Sequence, residues 1–145
     1  MGRILLTLTI IAISPFVALS VAIAMGHYAE PAQALMTLFS YAAVIITFTG
    51  GIHWGIAIQQ YSKNTRVANT LALESIVPVA IAWSLVFFHA YHIQLLILSL
   101  VFTLIWVVDS LLYNMNIIPQ WFFTIRCVVT PIMLASLYIV YFGII

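Results

Sequence analysis

Apolar residues fall in five long, nearly unbroken runs, at 4–25, 34–58, 67–88, 93–113 and 121–144, parted by the short polar stretches GHYAEPAQ, QQYSKNTR, HAYH and NMNIIPQ. A membrane-crossing helix needs about 20 apolar residues, so each run can cross a bilayer as one helix. Connections this short make successive helices antiparallel neighbours and leave no length for a soluble domain. The expected fold is a compact all-α bundle of five transmembrane helices, a single domain over residues 1–145. Pro31 and Pro119 stand where a first helical turn tolerates them, and Asn64 or Thr65 can cap the third helix. Pro15, Pro78 and Pro131 lie inside three of the runs, where each frees a backbone carbonyl.

Composition agrees. The chain is 66% hydrophobic and 5% charged, against about one quarter charged for a soluble domain. A formal net charge of +1 with scattered Lys and Arg excludes a nucleic-acid partner, which needs clustered cations. The lone Cys127 permits no intramolecular disulfide. Arg3 ahead of an apolar run, with the small-x-small Ala22-Ile23-Ala24 at its end, resembles a signal peptide. The run exceeds the usual apolar core of about 7–15 residues, so the expectation is a retained anchor. Leu6 stands where an N-myristoylation signal requires Ser or Thr.

Orientation follows from the cations. Arg3, Lys63, Arg66 and Arg126 fall on one side of the five-span scheme, and the opposite loops carry His27, Glu30, His89 and His92 without Lys or Arg. The positive-inside rule places the N-terminus in the cytoplasm and the C-terminus outside.

Counting down each helix at about 1.5 Å per residue puts His53, Glu74, Asp109 and Arg126, on helices two to five, roughly 6–10 Å below the cytoplasmic surface. Each ionisable side chain costs on the order of 2.5–3.5 kcal/mol near a helix centre and less toward the ends, so the four are expected to face inward and pair as one polar layer. Arg126 and Asp109 flank the short Pro119 loop at similar depth, which makes them the first expected pair. The layer holds two carboxylates against one guanidinium, so either His53 or a carboxylate carries an extra proton. That makes it a candidate ligand or proton site. A purely structural layer that fixes helix register is the competing reading.

Helix two carries the densest signal, FTGGIHWGIAI. Gly51 and Gly55, extended back by Thr47, form a GxxxG stripe of the kind that lets helix backbones approach. His53 shares a different face with Thr49, Gly50 and Ala57. One face is therefore expected to pack tightly, within the bundle or on a partner, and the other to present the imidazole. Trp54 and Trp106 are candidate indole donors to the layer, since Trp106 sits three residues before Asp109 on its helix face.

His27, His89 and His92 are the weak candidates for a metal, without the Cys or carboxylate spacing that would support one; no metal and no cofactor is expected. No HExxH, GxSxG or paired-histidine haem pattern occurs. The leading reading is a non-enzymatic accessory or assembly protein in the lipid bilayer, binding a partner membrane protein or a lipid-like ligand, with homo-oligomerisation a further option. A proton-coupled carrier or ligand site is the alternative, and an intramembrane enzyme the third.

The runs SYAAVIITFTGGIHWGIAI, SIVPVAIAW and Asp109 followed by PQWFFTIRCVVT resemble a small bacterial membrane-protein family of unknown function that includes mitochondrial transmembrane protein sixty-nine. The resemblance covers helices two to five, with GG-x-x-WG its most specific element. It matches Gly50, Gly51, Trp54, Gly55, Pro78, Trp83, Asp109, Pro119, Trp121, Arg126 and Thr130. Thr49 stands where the family has an aliphatic residue, and Glu74 lies outside its pattern. The resemblance implies the multi-helix fold, a bacterial inner (cytoplasmic) membrane location and Asp109 with Arg126 as a core pair. It implies no reaction, substrate or cofactor.

Overall fold

The computed structural model describes residues 2–144. Among them are five α-helices and no strand: α1 (Gly2–Ala24), α2 (Pro31–Gln60), α3 (Thr65–Leu85), α4 (Tyr91–Asn114) and α5 (Gln120–Gly143). Each is long and apolar enough to cross a membrane.

Helix ends depart from the apolar runs where polar chemistry can extend or stop a helix. α2 begins at Pro31, whose missing N–H is an orphan in any first turn, and it runs on through Gln59 and Gln60. α3 starts behind Asn64, whose Oδ1 accepts the Val67 N–H at 3.2 Å, one of the two expected caps. It ends at Leu85 rather than Phe88, and the N–H groups of Val86, Phe87 and Phe88 bond three residues back, the tightening that satisfies a last turn. Left-handed residues close α1 and α4. Gly26 has φ 69° and Asn116 has φ 57°, and the following N–H reaches back five residues in each case, His27 to Ala22 at 3.0 Å and Ile117 to Leu112 at 2.9 Å, as in a Schellman ending. At Pro15 the carbonyl of Ile11 loses its helical donor. Ser14 Oγ donates to it instead at 3.0 Å.

Contacts divide the chain into two units, one of Met1–Leu38 with Tyr91–Ile145, the other of Phe39–Ala90. In the first, α5 packs on both α1 and α4. Tyr113 stacks on Phe123 with centroids 4.6 Å apart, Asp109 bonds Arg126, and His92 meets Tyr141 edge-on at 5.2 Å. Partner numbers rise on α5 as they fall on α4, so the two helices are antiparallel, as their short connection requires. α1 and α5 end side by side: a Cβ on Gly143 would stand 2.8 Å from Ala24 Cα. Phe16 of α1 also meets Phe102 of α4 edge-on, at 6.4 Å.

In the second unit, α2 and α3 form an antiparallel hairpin. Backbones touch at Gly50, where a Cβ would lie 2.6 Å from the Ser75 carbonyl oxygen and 3.3 Å from Val79 Cγ2. The inward face of α2 in this unit is Ala42, Ile46, Thr49, Gly50, His53 and Ala57, all buried. Gly51 and Gly55 would meet nothing within 4 Å, and Thr47 is exposed. Within this unit the close backbone approach is therefore at Gly50, about 100° around the helix from the GxxxG stripe and on the face it shares with His53.

Gly50→Ala should destabilise the protein by about 1–3 kcal/mol, the usual cost of overpacking. Gly51→Ala and Gly55→Ala should be neutral or stabilising by up to about 1 kcal/mol through helix propensity. Thermal unfolding of the three variants in one detergent checks this, and equal losses in all three would contradict the assignment of the contact to Gly50.

Candidate functional site

His53 sits on the inward face of α2 between Gly50 and Ala57, and its side chain is fully buried. Glu74 comes from the facing turn of α3, one residue before the Ser75 carbonyl that Gly50 touches. The backbone contact at Gly50 therefore sets the distance across which the two side chains meet. Nδ1 lies 2.6 Å from Glu74 Oε2, and in the tautomer with its proton on Nδ1 the ring donates to the carboxylate. The carboxylate is the more open partner, with 18% of its side chain exposed. Neighbouring hydroxyls are committed to their own helices: Thr49 Oγ1 donates to Ile45 O at 3.0 Å and Ser75 Oγ to Ala72 O at 2.7 Å.

Asp109 and Arg126 make a second acid–base contact, inside the other unit. Arg126 Nε donates to Asp109 Oδ2 at 2.6 Å, with the Asp109 side chain fully buried and the Arg126 side chain 13% exposed. The pairing expected from the Pro119 loop is present. Its donor is a guanidinium, which makes the hydrogen bond charge-assisted, and Tyr113 stacked on Phe123 lies between it and the loop. Of the four ionisable residues expected as a polar layer, Glu74 meets His53 and Asp109 meets Arg126, each carboxylate with a base from a sequence-adjacent helix.

The two indoles do not take the expected part. Trp54 is 46% exposed, because it follows His53 by one residue and so points away from the imidazole. Trp106 Nε1 is buried without a hydrogen-bond partner, so it does not donate to Asp109; its three-residue spacing puts it on the right face but does not turn the ring. Among the described residues no group of three or more His, Cys, Asp or Glu could hold a metal ion. His27 Nδ1 lies 3.1 Å from the Met25 carbonyl, and His92 packs on Tyr141. Two close contacts, at Gly50 and Gly143, were not singled out from sequence. Gly50 stood next to the more familiar GxxxG pair, and Gly143 near the chain end carried no spacing signal.

Residues 1–142 match the model of a family described as a protein of unknown function, DUF3429. The chain belongs to the DUF3429 family. The match takes in α1 as well as the four helices on which the resemblance was read. No curated protein and no solved structure matches the chain. DUF3429 membership brings no reaction to the five-helix architecture, and chemistry must be argued from the two pairs.

Removing one partner of a buried ion pair costs on the order of 3–5 kcal/mol. In this DUF3429 protein Asp109→Asn should accordingly lower thermal stability in detergent sharply, and Arg126→Gln added to it should restore part of the loss. A double-mutant cycle whose losses simply add would mean that the 2.6 Å contact contributes no coupling.

Proposed function

We propose that the protein is a non-enzymatic accessory or assembly component of the bacterial inner membrane, with its N-terminus in the cytoplasm and its C-terminus outside, that receives a partner transmembrane helix on the outer face of α2. Kinship with mitochondrial transmembrane protein sixty-nine belongs to the same reading. The observation that carries it is the open GxxxG stripe: Gly51 and Gly55 have nothing within 4 Å of where a Cβ would stand. Without side chains there, the helix loses the dispersion contacts a Leu or Ile would make with lipid, and close backbone approach by another helix recovers them. The orientation rests on the cations. Arg3 opens α1, Lys63 and Arg66 flank the start of α3, and Arg126 lies in the second turn of α5, which is one side of the membrane if each helix crosses once.

A lipid-like ligand is the second version of this reading. It is favoured by a shallow groove in the Phe39–Ala90 unit, lined by Val44, Thr47, Phe48, Val79 and Trp83 among others. Thr47 belongs to both the groove and the stripe, so an apolar chain in the groove would lie along the same face of α2.

Gly51→Leu fills the stripe without touching the inward face, whereas Ile52→Leu changes little. In purification from the native membrane in gentle detergent, a stoichiometric partner protein should be lost from Gly51→Leu and kept by Ile52→Leu, with both variants as thermally stable as the parent. Loss of a co-purifying lipid or quinone in Gly51→Leu selects the ligand version. Indifference of every co-purifying species to Gly51→Leu would remove the stripe as a binding face.

A further inference from the structure

The His53/Glu74 pair is open at one end, and the composition of α3 says what it opens to. His53 is fully buried while part of the Glu74 side chain is exposed, so the carboxylate is the member of the pair that meets the surroundings. Arg66, Thr70 and Glu74 follow one another at four-residue intervals and so line one face of α3. Arg66, Asn69 and Thr70 are exposed, and α3 is the least apolar of the five helices. Thr70 Oγ1 donates to the Arg66 carbonyl at 3.0 Å, which leaves its lone pairs free to accept from water. Beyond Glu74 the same face continues as Pro78, Ile81 and Leu85, which offer water nothing. The polar face therefore begins at the α2–α3 loop and ends at Glu74.

We propose that the His53/Glu74 pair is a one-sided proton-exchange site, reached by water from the α2–α3 loop along the Arg66 and Thr70 face of α3 and sealed beyond Glu74. A carboxylate edge left in hydrocarbon is costly, and a hydrated polar face offsets that cost. With the imidazole in its Nε2–H tautomer, water hands a proton to the Glu74 carboxylate and the 2.6 Å hydrogen bond passes it to the free lone pair of Nδ1, leaving imidazolium beside carboxylate; return to water reverses the two steps. Besides the pair, the charged groups of the Phe39–Ala90 unit are Lys63 and Arg66 at the mouth of this face. Its other titratable groups are Tyr41, Tyr61 and His89. The site is distinct from the outer stripe of α2 and does not depend on a partner there.

The test uses the intact wild-type protein in sealed vesicles, in which the loop side is identified by an impermeant maleimide on Ser62→Cys in a Cys127→Ser chain. A water-soluble, impermeant carbodiimide should modify Glu74 when added on the loop side and not on the other, with the adduct mapped by peptide mass spectrometry and absent from Glu74→Gln. Modification by lipid-soluble dicyclohexylcarbodiimide alone, modification from the opposite side, or none by either reagent overturns the proposal. A second measurement separates face from depth. Leu73 is one residue nearer the loop and 68% exposed, so if depth governed access Leu73→Cys would react with the impermeant maleimide faster than Glu74→Cys; the proposal requires the reverse order.

Discussion

A charge inside the membrane must bring its own solvent, and the α2/α3 and α4/α5 hairpins follow from how this chain meets that demand. Glu74 and Asp109 lie well within apolar helices, where an unmatched carboxylate would cost several kcal/mol. Each is met by a base from the sequence-adjacent helix at 2.6 Å. A slip of one residue along a helix moves a side chain by about 1.5 Å and turns it by about 100°, enough to break either bond. The register of both hairpins is thereby held by chemistry as well as by loop length. In the first hairpin the missing side chain of Gly50 lets α2 lie against the Ser75 carbonyl, one residue from Glu74.

The two pairs answer the same constraint in opposite senses. Asp109 is sealed and its arginine reaches outward, with a guanidinium that keeps its charge under all ordinary conditions. That pair is a clamp. In the other, the base is sealed and the acid faces outward, and both members can gain or lose a proton. The α2/α3 hairpin is thus tied by a hydrogen bond between two titratable groups, and the α4/α5 hairpin by one in which the base is a guanidinium.

Much of this was legible in the chain itself. Helix number followed from run length, and Asp109 with Arg126 followed from depth, because the short Pro119 loop brings the two to a similar level on adjacent helices. The inward face of α2 was legible through His53, since desolvating an imidazole on the lipid side has no compensation. The choice between Gly50 and Gly51 was not legible. In a soluble helix the polar side marks the outside, but in hydrocarbon both sides are apolar, and Val44, Phe48 and Ile58 face outward as freely as Ile46 faces inward. Two adjacent glycines then differ only by 100° of rotation, and the GxxxG spacing drew attention to the open one. Trp106 failed for another reason: spacing gives the helix face of an indole but not the side-chain torsions that aim its N–H.

The division of α2 into two faces bears on what an accessory role would require. Two turns carry Gly50 and His53 inward and Gly51 and Gly55 outward, so the surface offered to a partner is the back of a backbone already held by a close contact and a hydrogen bond. Binding to a surface that is rigid beforehand avoids the ordering cost that a mobile helix would impose. The small residues remove side-chain entropy from the same ledger, since Gly has no rotamers to lose. On this view the buried pair contributes to recognition without being touched: it holds straight and in register the helix whose other side is left bare.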